Sequence, residues 1–190
     1  MDYTGRPGIS PALAALIALE RIRKSDRILD VGCANGTDAL TLARWGFRHV
    51  VGIDPDRDAI GTARGRATKT KLANRVAFHH LGAERLTEMF PHAHFDVVLH
   101  TLVANNLTKG KEQHFREVAA VMKPTGLLIL HERISRGYDN AKPGKFPALR
   151  ALQRHFDLSA GVTSQLAEHP TGRKGPQYAR VVLWVGRPRK

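Results

Sequence analysis

Short apolar runs alternate with amphipathic segments along most of this chain. The runs are rich in Val, Ile, Leu and Phe and predict strands at 27–31, 50–54, 76–80, 95–101 and 127–131. The segments between them have apolar residues at helical spacing and predict helices at 37–45, 56–72, 84–90 and 109–122. Strands that alternate with helices in this way predict a parallel sheet covered by helices on both faces.

Both ends of the chain depart from this alternation. Near the start, Ser10 and Pro11 suit a helix N-cap and the first helical residue, and they predict a helix to about Lys24. Near the end come a basic stretch, a short helix and two strand-like runs, at 133–147, 149–156, 158–166 and 178–185. The link between the two runs is turn-rich and too short for a crossover helix, so we expect an antiparallel hairpin.

Length and composition indicate an ordinary globular chain. It is 42% hydrophobic and 25% charged over 190 residues, a length typical of one domain. We expect a single domain with an N-terminal arm and helix, a ligand-binding core and a basic C-terminal part, at 1–26, 27–132 and 133–190. The longest apolar run, 12–19, is too short to cross a bilayer, and no secretory signal begins the chain. We therefore expect a cytoplasmic protein that does not contact a membrane.

The formal net charge of +13 is concentrated in the last third of the chain. Residues 133–190 carry 12 Lys and Arg against 3 Asp and Glu. This excess indicates either an anionic partner or a compositional bias toward arginine. A second basic group follows strand two, and we expect it to be a solvated face: Arg64, Arg66, Lys69, Lys71 and Arg75.

The clearest chemical signal is a loop of small residues between the first strand and the first helix of the core. Asp30 ends the strand, and Gly32, Ala34 and Gly36 let the backbone turn sharply and approach a ligand. Asp54, at the tip of the next strand, can accept two hydrogen bonds from a ribose diol. A nicotinamide fingerprint would need glycine at positions 34 and 37, and a carboxylate at Asp30 suits an ammonium better than a pyrophosphate. The pattern predicts a ligand with an amino acid at one end and a nucleoside at the other.

Four segments resemble motifs of the class I S-adenosylmethionine-dependent methyltransferases: Ile28–Gly36, Val51–Pro55, Phe95–Leu99 and Met122–Leu128. The resemblance implies a three-layer α/β/α sandwich with a seven-stranded, mostly parallel sheet in the order 3-2-1-4-5-7-6, its seventh strand antiparallel. It implies S-adenosylmethionine as methyl donor and S-adenosylhomocysteine as product. Asp30 would hold the amino group, the loop backbone the carboxylate, and Asp54 the ribose. The cofactor contacts implied are Asp30, Gly32, Cys33, Ala34, Gly36, Asp54, Pro55, Ala83, Glu84 and His100.

The adenine position departs from the family pattern. The family often has an acidic residue after strand three that meets the adenine amino group, and Gly82 occupies that place here. Either Glu84 or the backbone at Gly82 and Ala83 would take over that contact.

The acceptor side is expected beyond the carboxyl ends of strands four and five. His131, His100 and Glu132 are the candidate catalytic bases, although a histidine at a strand end is often only a hydrogen-bonded structural residue. Candidate acceptor contacts are Tyr3, Asn105, Asn106, Arg133 and Tyr138. The single cysteine, Cys33, lies in the donor loop and is expected to pack there rather than act as a nucleophile. The ten histidines show no metal-binding spacing, so we expect no metal site.

Three functions remain open from the residues and the resemblance. The first is methyl transfer, by in-line displacement, to a small and possibly anionic acceptor. The second is methylation of RNA, with the basic loops as a phosphate-binding surface. The third is a non-catalytic partner protein that keeps the fold. The sequence leaves open the acceptor, the methylated atom and the oligomeric state.

Overall fold

The computed structural model describes residues 22–101, 103, 107, 109–134, 149–169 and 177–189. Within these ranges, side chains are described except at 131–134, 149, 159–169 and 177–185. The predicted N-terminal helix and the basic stretch at 133–147 lie almost entirely outside the described residues.

The described helices and strands follow the predicted alternation. The strands are β1 (Arg27–Val31), β2 (His49–Asp54), β3 (Val76–His80), β4 (Phe95–Thr101), β5 (Met122–Ile134), β6 (Phe156–His169) and β7 (Gln177–Pro188). The helices are α1 (Thr37–Arg44), α2 (Arg57–Lys69), α3 (Lys111–Val121) and α4 (Leu149–His155), with a 3₁₀ helix at Ala83–Glu88. No helix in the described ranges has the length and apolar character needed to span a bilayer.

The strands form one seven-stranded sheet in the order β3-β2-β1-β4-β5-β7-β6. Strands β1 to β5 are parallel, and β7 pairs antiparallel with both β5 and β6. The predicted order and the reversed seventh strand are therefore confirmed.

Strand β5 is longer than the predicted 127–131 and also includes the segment 123–126. The pairing of β4 with β5 passes from Phe95–Met122 to Val97–Leu127, so several residues of β5 bulge out between two of β4. Gly126 lies in this bulge, and a Cβ there would come 2.8 Å from the carbonyl oxygen of Lys123. Pairing with β4 at Phe95 thus extends the strand beyond the predicted apolar run.

Both faces of the sheet are buried under helices. On one face Leu29, Val98 and Leu128 pack toward α3, α4 and the 3₁₀ helix, and on the other Ile28 and Val97 pack toward α1 and α2. Burial on both faces explains why the central strands are almost continuously apolar. The structure is the predicted three-layer sandwich.

The sheet topology places a ligand site beyond the carboxyl end of β1. Strand β1 lies between β2 and β4, with Val31 in register with Ile53 on one side and His100 on the other. The chain order reverses at this strand, and open parallel sheets bind ligands at such a point. The glycine loop and Asp54 both lie at this edge.

Candidate active site

The loop between β1 and α1 is held in left-handed backbone conformations. Gly32, Ala34 and Gly36 have φ angles of +69°, +45° and +77°. A Cβ on Gly32 would overlap the side chain of Val103, and one on Gly36 would lie 2.6 Å from the ring of Phe78. Both positions therefore need glycine, because the backbone is left-handed there and because neighbouring side chains leave no room for a Cβ.

Ala34 adopts the left-handed conformation without being glycine, at a cost of about 1–2 kcal/mol. Two hydrogen bonds to β2 hold the loop in this shape. The Ala34 N–H donates to Oδ2 of Asp54 at 2.9 Å, and the Cys33 N–H donates to the carbonyl of Ile53 at 2.9 Å. The strained loop is thus tied to the strand that carries the second predicted ligand residue.

The carboxylate of Asp54 is oriented by backbone donors on both of its oxygens. Oδ2 accepts from Ala34, and Oδ1 accepts from the N–H of Asp56 at 2.8 Å. Asp56 in turn caps α2, since its side chain accepts from the N–H groups of Asp58 and Ala59. Asp54 is half-buried, and each oxygen keeps further acceptor capacity. A carboxylate fixed in this way can accept from two neighbouring hydroxyls.

Asp30 is a buried carboxylate, only 2% exposed. Its pKa is raised well above the ordinary value, first by burial and then by the nearby carboxylates of Asp38 and Asp54, against a lowering by the Ala39 N–H. Within the described residues nothing hydrogen-bonds its Oδ2. A buried carboxylate beside two others favours a cation, because a cation would compensate both its desolvation and its repulsion. This arrangement fits the ammonium group of S-adenosylmethionine.

Two arginines of α2 support this site, and sequence reasoning missed them. Nη1 of Arg66 donates to the carbonyl of Asn35 at 2.6 Å and lies 3.2 Å from Oγ1 of Thr37. Arg64 donates through two nitrogens to the carbonyl of Phe78, at 2.9 and 2.7 Å. Arg66 is half-buried and departs from the expected solvated face, whereas Arg64 is exposed even though its guanidinium contacts Phe78. No local pattern in the sequence separates these two arginines from solvated ones.

In the segment after β3, Glu84 lies close to Gly82, the position where the family often has an acidic residue. The carboxylate of Glu84 lies over Gly82, so that a Cβ on Gly82 would overlap it. The backbone carbonyl of Glu84 accepts from Nε2 of Gln113 at 3.0 Å, which anchors the start of the 3₁₀ helix to α3. Ala83 is buried beside it. The carboxylate of Glu84 thus lies where the Cβ of an acidic residue at position 82 would be.

His100 is fully buried and faces α3. Its Nε2 lies 2.8 Å from Nε2 of His114, and its ring packs 5.4 Å from that of Phe115. Burial, followed by the neighbouring His114, lowers the pKa of His100 well below the ordinary value, and burial lowers the pKa of His114 to about 4. Both rings are neutral at pH 7, and one nitrogen donates to the other. These contacts favour the structural alternative for His100 over a role as base or cofactor contact.

The remaining candidate site residues lie in different parts of the structure, and some of them are not described. Cys33 is buried, and burial, Asp30 and Asp54 raise the pKa of its thiol. Pro55 is exposed, and its carbonyl lies 2.9 Å from Nε2 of His80. The backbone of His131 pairs with Thr101 at the carboxyl edge, and Glu132 and Arg133 follow it along β5; the side chains of these three are not described. Tyr3, Asn105, Asn106 and Tyr138 lie outside the described residues.

In the part of the chain that the structure describes, no group of three or more His, Cys, Asp or Glu side chains could hold a metal ion.

Comparison with known proteins gives consistent matches. Residues 22–165 match a family model described as a methyltransferase domain. The chain is 33% identical over 122 residues to a 27-O-demethylrifamycin SV methyltransferase of Amycolatopsis mediterranei, a match that covers 64% of this chain and 43% of that protein. It is 32% identical over 145 residues to a ubiquinone biosynthesis O-methyltransferase of Rhodopseudomonas palustris, covering 68% of this chain and 54% of that protein. The chain thus spans about half the length of these curated relatives.

A solved structure shares the fold. The crystal structure of a SAM-dependent methyltransferase from Methanosarcina mazei has a TM-score of 0.70 at 20% identity, covering 94% of this chain and 98% of that chain.

Proposed function

This chain belongs to the class I S-adenosylmethionine-dependent methyltransferases, and we propose that it methylates a small-molecule acceptor. The family model spans most of the chain, and the sheet has the strand order that the family resemblance implied. S-adenosylmethionine, the family's cofactor, supplies a methyl group already activated by a sulfonium, and S-adenosylhomocysteine is the product.

The chain's own residues would hold the donor at three points. Asp30 would accept from the ammonium group, the N–H groups at the start of α1 would meet the carboxylate, and Asp54 would accept from the ribose hydroxyls. The observation that carries the assignment is the buried Oδ2 of Asp30, which has no hydrogen-bond partner among the described residues. Because methyl transfer needs mainly proximity and orientation, a rigid donor site contributes directly to rate.

Glu84 is the residue that we propose for the adenine amino group. Its carboxylate lies above Gly82, and the side chain is exposed and free to turn toward a ligand. A carboxylate from two residues further along would thus replace the acid that the family often has at this position.

Isothermal calorimetry of Asp54→Ala and Glu84→Ala with S-adenosylmethionine tests these assignments. Loss of a hydrogen bond to a charged group costs about 1.5–3 kcal/mol, which corresponds to a roughly 10- to 100-fold weaker affinity. Asp56→Ala is the matched control, because it removes a neighbouring carboxylate that caps α2 and is not assigned to the ligand. Unchanged affinity in Asp54→Ala would remove the ribose assignment, and unchanged affinity in Glu84→Ala the adenine assignment.

A small-molecule acceptor is supported by the relatives. Their names describe methylation of a demethylrifamycin and a step of ubiquinone biosynthesis, both small molecules. The basic C-terminal third would suit an anionic acceptor. His131 is the residue we propose as base, with Glu132 as the alternative, because His131 pairs with Thr101, the last residue of β4, and Glu132 follows it along β5. Where the acceptor must lose a proton, such a base would take it.

Two findings would contradict this proposal: that the protein methylates RNA, or that it has no catalytic role. An RNA substrate would bind with an affinity that falls steeply with salt, through counterion release from its phosphates, whereas a pocketed small acceptor would not. A non-catalytic protein would show no measurable affinity for S-adenosylmethionine. Binding of an RNA oligonucleotide and of S-adenosylmethionine, each measured over a range of salt concentrations, separates the three functions.

A further inference from the structure

A second cavity lies at the opposite edge of the sheet from the donor site. It has a volume of about 300 Å³ and lies at the amino ends of β1 to β4. Three arginines and two histidines contribute to its lining: Arg27, Arg48, Arg75, His49 and His94. The rest of the lining includes apolar groups such as Val51, Ala77 and Phe95.

Strand register explains why these cationic and imidazole side chains come together. Arg27 begins β1 and His49 begins β2, and the two are register partners. Arg75 and His94 immediately precede β3 and β4. Because the first residues of parallel strands lie along one edge of a sheet, residues far apart in the chain form a row across four adjacent strands.

Within the described residues, carboxylates compensate this row only in part: the charge of Arg27 helps to lower the pKa of Asp96, but Lys123 also binds that carboxylate. Of the nearby acids, Asp96 accepts from Nζ of Lys123 at 2.6 Å and from the backbone N–H of Arg27 at 3.0 Å. Asp26 accepts from the backbone N–H of Arg23 at 2.7 Å. No described carboxylate lies within 4 Å of the guanidinium of Arg27, Arg48 or Arg75.

The contacts that these guanidinium groups do make are with neutral groups. Nη1 of Arg27 lies 3.5 Å from Nδ1 of His94, and Nη1 of Arg75 donates to the carbonyl of Ala43 at 3.3 Å. Burial, followed by Arg27 and Lys123, lowers the pKa of His94, so its imidazole is neutral and adds no repulsion at pH 7. The lining of the cavity therefore carries an excess of positive charge, with no acidic side chain among its described residues.

We propose that this amino-edge cavity binds a small molecule that carries a phosphate group. Arginine guanidinium groups present paired N–H donors that match phosphate oxygens, and several cations together favour a dianion over a monoanion. The volume is at the lower end of small-molecule sites, and the apolar lining suits a compact organic group beside the phosphate. The site is separate from the donor site, which lies at the carboxyl edge, so its ligand would bind without entering the reaction.

Phenyl phosphate is a suitable probe, because it joins a dianionic phosphate to a compact apolar ring. We expect it to bind at millimolar concentration or better, in calorimetry performed with and without saturating S-adenosylmethionine. Arg48→Gln should weaken its binding about tenfold or more, since hydrogen bonds to charged groups contribute roughly that much. Arg48 is the variant of choice because no hydrogen bond or ion pair of its side chain is found among the described residues, so its loss spares the fold.

Arg116→Gln is the matched control, since Arg116 is an exposed arginine on α3 that does not line the cavity. It removes the same charge and should leave phenyl phosphate binding unchanged. The proposal is overturned if the probe does not bind, or if both variants weaken it equally, which would indicate only a general effect of net charge. It is also overturned if an RNA oligonucleotide binds this edge with steep salt dependence and phenyl phosphate does not compete. Benzyl alcohol, which lacks the phosphate, should not bind; equal binding would mean that the cavity selects for apolar shape alone.

Discussion

Replacing Gly36 by alanine should destabilise the protein more than the same replacement at Gly110, although the two glycines have similar backbone conformations. Both are N-cap residues without a side-chain cap, Gly36 of α1 and Gly110 of α3. Their φ angles are +77° and +68°. The two positions therefore share the left-handed strain and differ in their surroundings.

The surroundings set the expected difference. At Gly36 a Cβ would lie 2.6 and 2.8 Å from two ring atoms of Phe78 and 3.1 Å from Cβ of Ala63, whereas at Gly110 nothing described lies within 4 Å. Left-handed alanine costs about 1–2 kcal/mol at each position. Overpacking adds about 1–3 kcal/mol at Gly36 alone. We expect Gly36→Ala to lose about 2–5 kcal/mol of unfolding free energy and Gly110→Ala about 1–2 kcal/mol.

Phe78 has little room to move away, because it is also packed against Gly52. A Cβ at Gly52 would lie 2.6 Å from Cδ1 of the same ring. The methyl group at position 36 should therefore push the donor loop instead, and S-adenosylmethionine affinity should fall in Gly36→Ala and stay unchanged in Gly110→Ala.

Urea unfolding followed by far-ultraviolet circular dichroism measures the stability, and calorimetry measures the affinity. Phe78→Leu gives the second control, because a smaller side chain should make Gly36→Ala less costly in the double variant than in the wild-type background. Equal losses at Gly36 and Gly110, or strictly additive effects of Gly36→Ala and Phe78→Leu, would refute the packing explanation.

Three further predictions concern the residues around the site. Arg66→Ala removes the hydrogen bond to the donor loop and should weaken S-adenosylmethionine binding roughly tenfold, measured by calorimetry, while Arg64→Ala, which loses contacts to β3 instead, should mainly reduce stability. The folded pKa of His114 is about 4 against an ordinary 6.5, so its contribution of about 3 kcal/mol should be present above pH 6.5 and be lost as the pH falls toward 4. Urea unfolding at several pH values should show this loss in the wild type and not in the double variant His100→Leu/His114→Leu. If the double variant lost stability with pH as the wild type does, the buried histidines would not be its cause. With an identified acceptor, His131→Ala should reduce turnover more than S-adenosylmethionine affinity. An unaltered rate would show that His131 is not the base.

Local sequence determined the donor loop and most of the sheet. Asp30, Gly32 and Gly36 lie within a few residues of each other, so their spacing alone indicated a strand, a tight turn and a helix start. Asp54 could be placed from sequence as well, because neighbouring parallel strands end at one edge. The strand order was implied by the family resemblance, since periodicity does not decide which strands are neighbours.

Tertiary structure decided what depends on distant packing. Arg66 holds the loop from 31 residues away, and no local pattern separates such an arginine from one that is only solvated. His100 lies near the carboxyl end of an apolar strand and was a natural candidate base, but α3 brings His114 against it and both rings are buried. The amino-edge cavity arises in the same way, since only strand register brings Arg27, Arg48 and Arg75 together. Residue spacing in the sequence shows which functional groups lie together within one segment. Which charged groups meet and which side chains are buried across different segments depends on which strands become neighbours in the sheet.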